Sequence, residues 1–333
     1  MREQPRKHKS MRRTPWDESK ELTPVQRFIK SSYLENYGEK HPALSATNEV
    51  ELLNSLELTT CRYCESALIR KYGYTKNGVQ RYQCRECGRS FTVTTNSLFA
   101  DHKVSISEWI EYCINLLCFT STNSASRNNK NSFTTSKYWL KKLFIALESY
   151  QKSIILKDRV ELDETFYRVE QGERKQQNGG ALRGLSRNQI CIGIACDAAN
   201  TYCMVEGLGK PSTSGTLAAF RSHIQPGALL VHDREKSHNA LVRELHLNSE
   251  AYPSVQLNNM PDKDNPLRHV NHKCFLLKAF LNAHAGFDRD DLQNYLNLFA
   301  FSMNPPDNML EKVEHLLTFV LNIERTLRFR DAF

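Results

Sequence analysis

Residues 160–166 read VELDETF. Side chains alternate between the two faces of an extended strand, so Val160, Leu162 and Phe166 share one face and Asp163 falls on the other. Strand interiors disfavour Asp, and a metal site would give this one a reason to be there. A second apolar run, ALLVHD at 228–233, also ends in an acid. Carboxyl ends of strands are where α/β sheets present ligand-binding groups. Taken singly, an Asp in either place is more often a cap or a surface residue.

Around these two runs the pattern alternates. Strands are expected at 159–167, 189–197, 201–206 and 228–232, with helices at 213–223 and 235–245, which together indicate a mixed α/β sheet. Three helices should close the domain at 267–283, 290–303 and 310–321, with Gly286 and Pro305-Pro306 as breaks. The loop 168–188 carries five Arg or Lys against two Glu. Through Arg183 and Arg187 it is either a clamp on DNA beside Asp163 or a flexible solvated insertion.

Upstream, Cys61-x2-Cys64 and Cys84-x2-Cys87 are separated by nineteen residues, the spacing of a four-thiolate zinc site on two knuckles. A redox pair is the rival for one CxxC alone. Short strands and the turn dipeptide Asn77-Gly78 fill the interval. Arg81, Arg85 and Arg89 alternate there with Tyr72, Tyr74, Tyr82 and Phe91, a composition suited to phosphate contact with some stacking, although zinc serving purely as a scaffold is the alternative. Helices follow, one through Trp109–Leu117 and one through 135–148, with room for a short one in the Ser/Asn-rich stretch between them. Lys137, Lys141 and Lys142 lie opposite the apolar face of the last helix, as in major-groove docking or as on an ordinary solvated face.

The 333 residues allow two or three domains. Hydrophobic residues make up 40% and charged residues 25%, enough for a large core and against global disorder. A net charge of +8 and a pI near 8.9 suit a polyanionic partner without requiring one. No apolar stretch suggests a membrane span or a secretion signal, so the expected location is the cytoplasm. The six remaining cysteines, among apolar neighbours, are expected to be structural. Residues 1–58 read as a basic, weakly structured leader, either a solvated tail or an arm on DNA phosphates.

The CxxC pairs with GVQRYQCRECGRSFTVTTNSLF, then ELDETF, LLVHDREKSH and HVNHKCFLLKAFLNAHAGFDRDDLQNYLNLFAF, together resemble the ISXO-like insertion-sequence transposases over roughly residues 55–330. The resemblance implies a zinc ribbon (59–100), a helix-turn-helix-like segment (103–152) and an RNase H-like catalytic domain of DDE type (156–333). It implies Asp163 and Asp233 as magnesium ligands, with Asn271 where many relatives have Glu, and Lys278 two turns later on the same helix face. Magnesium would be catalytic, with manganese as a substitute, and zinc structural. The implied partners are terminal inverted repeats, target DNA and further copies of the chain. His232, His238 and His272, which flank the ligands, are expected to support them or to lie on the surface. A non-catalytic, transposase-derived DNA-binding protein is the rival reading.

Overall fold

The computed structural model describes residues 23–28, 46–100, 106–177, 180–182, 184–323 and 325–332. The chain divides into two compact units, one of 1–116, 120–143 and 313–333, the other of 117–119 and 144–312.

In the first unit, helix α1 (Ala46–Ser55) precedes three antiparallel strands, β1 (Ile69–Tyr74), β2 (Gln80–Cys84) and β3 (Ser90–Phe91). The stretch expected to be a weakly structured leader thus ends in a helix. Asn54 ties that helix down, its amide donating to Gly78 O at 3.0 Å while its carbonyl accepts from Gln80 N at 2.7 Å. The β1–β2 turn passes through Gly78 at φ +82°, where a side chain would be strained. Tyr82 and Phe91 stack at 5.9 Å over a core only a few residues wide, so apolar burial alone leaves this module marginal.

Helices α2 (Ile106–Leu117), α3 (Thr122–Asn128) and α4 (Phe133–Ser153) follow. Tyr112 and Trp139 meet edge to face at 5.5 Å, and the Tyr112 hydroxyl donates to Ser136 O at 2.8 Å. The tail of the chain belongs here too. Arg62 Nη2 donates to Leu321 O at 3.1 Å and Tyr138 Oη to Leu327 O at 2.5 Å.

The second unit is built on five strands, β4 (Arg159–Arg168), β5 (Gln189–Cys196), β6 (Thr201–Leu208), β7 (Leu229–His232) and β8 (Asn248–Ala251), in the order β8-β7-β4-β5-β6. β4, β5 and β6 are antiparallel neighbours, while β7 and β8 run parallel to β4. The sheet is therefore mixed. Helices α5 (Thr213–Phe220) and α6 (His238–Glu244) cover one face, where Val160, Leu162, Phe220, Leu230 and Leu241 share a core. Helix α7 (Arg268–Ala283) packs on β4 and β5, and α8 (Leu292–Met303) on β6. β5 is apolar and buried along nearly its whole length because both its faces are covered. Asn304, fully buried, pairs with Thr201 through both its amide groups. Helix α9 (Met309–Asn322) comes last. From residue 313 onward the chain groups with the first unit, whereas a single domain was expected to run to 333.

Candidate active site and thiolate centre

Asp163 and Asp233 meet through strand register. β4 pairs with β7 in parallel, with Arg159 opposite Leu229, Val160 opposite Leu230 and Glu161 opposite Val231. Two further steps along both chains set Asp163 beside Asp233, just past the carboxyl end of β7. Asp233 Oδ1 accepts from Glu235 N at 3.0 Å, and Asp163 Oδ1 from Glu164 N at 2.8 Å. Burial, then the charges of Glu164 and Asp233, push the Asp163 carboxyl up to about 7. Carboxylates crowded in this way are suited to a cation, and hard oxygens on neighbouring strand ends fit magnesium or manganese.

Helix α7 is anchored by Glu161, which is buried and lies on the same strand face as Asp163. Its Oε2 accepts from the His269 and Val270 amides, each at 3.0 Å, and its Oε1 pairs with His269 Nδ1 at 2.8 Å and with Arg159. A carboxylate on the first amides of a helix satisfies donors that have no partner within the helix. Burial pushes the Glu161 carboxyl up, but the hydrogen bonds from His269, Arg159 and the Val270 amide outweigh it and hold the group below its ordinary value. Asn271, Cys274 and Lys278 follow at the spacing of a single helix face. Cys274 is buried and feels the charges of both Asp163 and Lys278, so this face is turned toward Asp163. Asn271 and Lys278 are exposed.

The opposite strand face carries groups that strand alternation and spacing did not single out. Glu164 Oε1 lies 2.6 Å from His238 Nε2, His238 Nδ1 lies 3.1 Å from His232 Nδ1, and His232 Nε2 lies 3.0 Å from Ser249 Oγ. Burial disfavours charge on His238, yet the Glu164 carboxylate raises it above the ordinary imidazole range. Burial and the neighbouring His238 lower His232 to about 4. The Glu164 carboxylate thus favours a proton on His238, while burial keeps His232 neutral. His232, Asp233 and His238 stand close enough together to share a metal ion. Both nitrogens of each ring already have protein partners. Neither is at the surface, while His272 is exposed. Glu164 was legible in principle, since strand alternation sets it on the face of Val160 and Leu162.

In the first unit Cys61, Cys64, Cys84 and Cys87 converge, with Sγ atoms within 4.8 Å of one another. The Cys61–Cys87 and Cys64–Cys84 sulfurs are each 3.7 Å apart. A tetrahedron with zinc–sulfur bonds of about 2.3 Å has edges of about 3.8 Å, so the quartet fits zinc. The Cys87 amide donates to Cys84 Sγ and helps bring that thiol down to about 7.

Around the quartet, Arg89 lies over the Tyr63 ring at 4.9 Å and Arg81 over Tyr72 at 5.4 Å. Arg85 and Arg89 are exposed. Of the three lysines expected on an open helix face, only Lys137 is exposed. Lys141 donates to Ala332 O and Lys142 is buried, 4% exposed. The helix therefore offers no open face of three lysines, because Lys142 stands one turn from Trp139 inside the apolar stripe. In the loop after β4, Gln176–Gln177 pairs antiparallel with Gly180–Ala181, and Asn188 holds the Lys175 backbone. Arg187 is exposed; Arg183 lies outside the described residues. No helix among the described residues is long and apolar enough to cross a membrane.

Residues 155–304 match the family model of the ISXO2-like transposase domain. A search of curated proteins finds no match. Among solved structures, the catalytic domain of Mos1 mariner transposase aligns at 13% identity and a TM-score of 0.25, covering 57% of this chain and 93% of that one. The mariner Mos1 paired end complex with Mg aligns at 13% identity and a TM-score of 0.28, covering 65% and 79%. Scores this low transfer no feature from those proteins. By the family match, the chain carries an ISXO2-like transposase domain over residues 155–304.

Proposed function

We propose that the chain is a DNA transposase whose RNase H-like domain breaks and joins strands at the ends of a mobile element. The observation that carries this reading is the parallel register that sets Asp163 beside Asp233 while Glu161 fixes α7 on the same face. Asp163, Asp233 and the Asn271 carboxamide would hold magnesium, which when bound activates an attacking oxygen and offsets charge on a leaving one. Asn271 brings no charge, so the site relies on the two aspartates for electrostatic hold. Lys278, exposed on the same helix face, is suited to hold a phosphate against the pair, which is electrostatic work rather than proton transfer. The Glu164–His238–His232 chain keeps the β7 end in place under the aspartates.

The zinc module and the helices after it are assigned to binding the element's terminal inverted repeats. The exposed Arg85, Arg89, Lys137 and Arg187, together with the stacked Arg81, supply phosphate contacts that release counterions. Target DNA and further copies of the chain complete the assembly. The test is incubation of the purified chain with labelled DNA carrying the sequences that flank its own gene. Magnesium-dependent nicks at matching inverted repeats are expected. Binding to those ends without strand cleavage, in magnesium or manganese, would favour a non-catalytic DNA-binding protein.

A further inference from the structure

The first unit holds a cleft of about 800 Å³ that none of the roles above uses. Its walls come from the zinc module, from α2 and α4, and from 326–329. Aromatic rings, including Tyr63, Trp109 and Tyr138, alternate there with threonine hydroxyls, and Lys142 and Arg328 bring positive charge. Among the described residues no acidic side chain lines it.

Two polar side chains of its wall have no hydrogen-bond partner among the described residues. Lys142 is 4% exposed, with neither a hydrogen bond nor an ion pair among the described residues; its Nζ lies over the Tyr138 ring at 4.5 Å. Trp109 is 2% exposed and its Nε1–H has no acceptor among the described residues. A buried ammonium and a buried N–H each carry a desolvation cost that a ligand oxygen would relieve. Burial brings the Lys142 amine down to about 8, which leaves it largely cationic at neutral pH.

We propose that this cleft takes one unpaired nucleotide of a DNA strand, its phosphate toward Lys142 and Trp109 and its base against the aromatic walls. The volume lies within the range of small-ligand sites. Aromatic faces stack bases with little regard to sequence, and the absence of carboxylates suits a phosphate. The choice of a DNA strand over a free nucleotide rests on the transposase reading.

The test is tryptophan fluorescence of the full chain, since Trp109 and Trp139 both line the cleft. The probes are 5′-phosphorylated dT5, an abasic pentamer of the same charge, dTMP, and duplex end DNA. We expect saturable quenching by dT5 and at least tenfold weaker binding of the abasic strand. Lys142→Met should weaken dT5 at least tenfold without lowering the melting temperature, because it removes an unpaired buried charge. Trp109→Phe, which keeps a ring and loses the N–H, should weaken dT5 several-fold; Lys152→Met on the same helix should leave it unchanged. Equal affinity for dTMP would keep the site and make a free nucleotide its occupant. Wild-type affinity in Lys142→Met, or equal affinity for the abasic strand, overturns the proposal. A chain that binds dT5 but ignores duplex ends leaves the cleft standing and removes the transposase reading; the reverse pattern removes the cleft alone.

Discussion

Glu161 precedes Asp163 by two positions, and its carboxylate takes the first amides of α7. Replacing it strands the buried Val270 amide and the partly buried His269 amide, so Glu161→Ala should lose about 3 kcal/mol of stability at pH 7. Folding lowers the pKa of this group. Its contribution is therefore complete above the ordinary glutamate value of about 4.3 and fades as pH falls through the lower folded value. Urea denaturation of both proteins at pH 7 and pH 3 should show the gap closing in acid; a gap that widens there would contradict this role. Asp163 and Asp233 are legible in the sequence, because an acid within or ending an apolar strand is conspicuous. Glu161 and His238 are not, since their partners, the α7 amides and Glu164, are over seventy residues away along the chain.

At the level of elements, alternation and helical spacing identified every long strand and helix of the second unit, with ends shifted by a few residues. β8 was missed because NSEA has no apolar pattern; it is a strand only by lying against β7. Helix α1 was missed for a similar reason, being held by side-chain bonds from Asn54 to the four-cysteine module. That module is the element where sequence spacing was most informative, since thiolate spacing alone defines a closed site. Elemental analysis should find one zinc per chain, lost in Cys84→Ser, with a chelator unfolding the module because its own core is too small to hold it. Substoichiometric zinc that Cys84→Ser leaves unchanged would sink this assignment.

For the whole molecule, sequence order and spatial grouping part company at the C-terminus. Residues 313–333 group with the first unit, held by Arg62 and Tyr138 through backbone carbonyls. Periodicity signals that a helix forms but not which partner covers it. In the second unit, the paired aspartates are proposed to hold the metal for strand cleavage. Asp163→Ala and Asp233→Ala should each cut magnesium-dependent cleavage of labelled element ends by about a thousandfold or more, as expected from several kcal/mol of lost charge stabilisation. Asn271→Ala should be severely impaired, and Asn271→Asp should keep some activity because it retains an oxygen of similar reach. Binding to the same DNA, measured alongside, should change no more than about twofold, because phosphate contacts are made by other residues. Cleavage at the wild-type rate by either aspartate variant, with binding intact, would contradict the account.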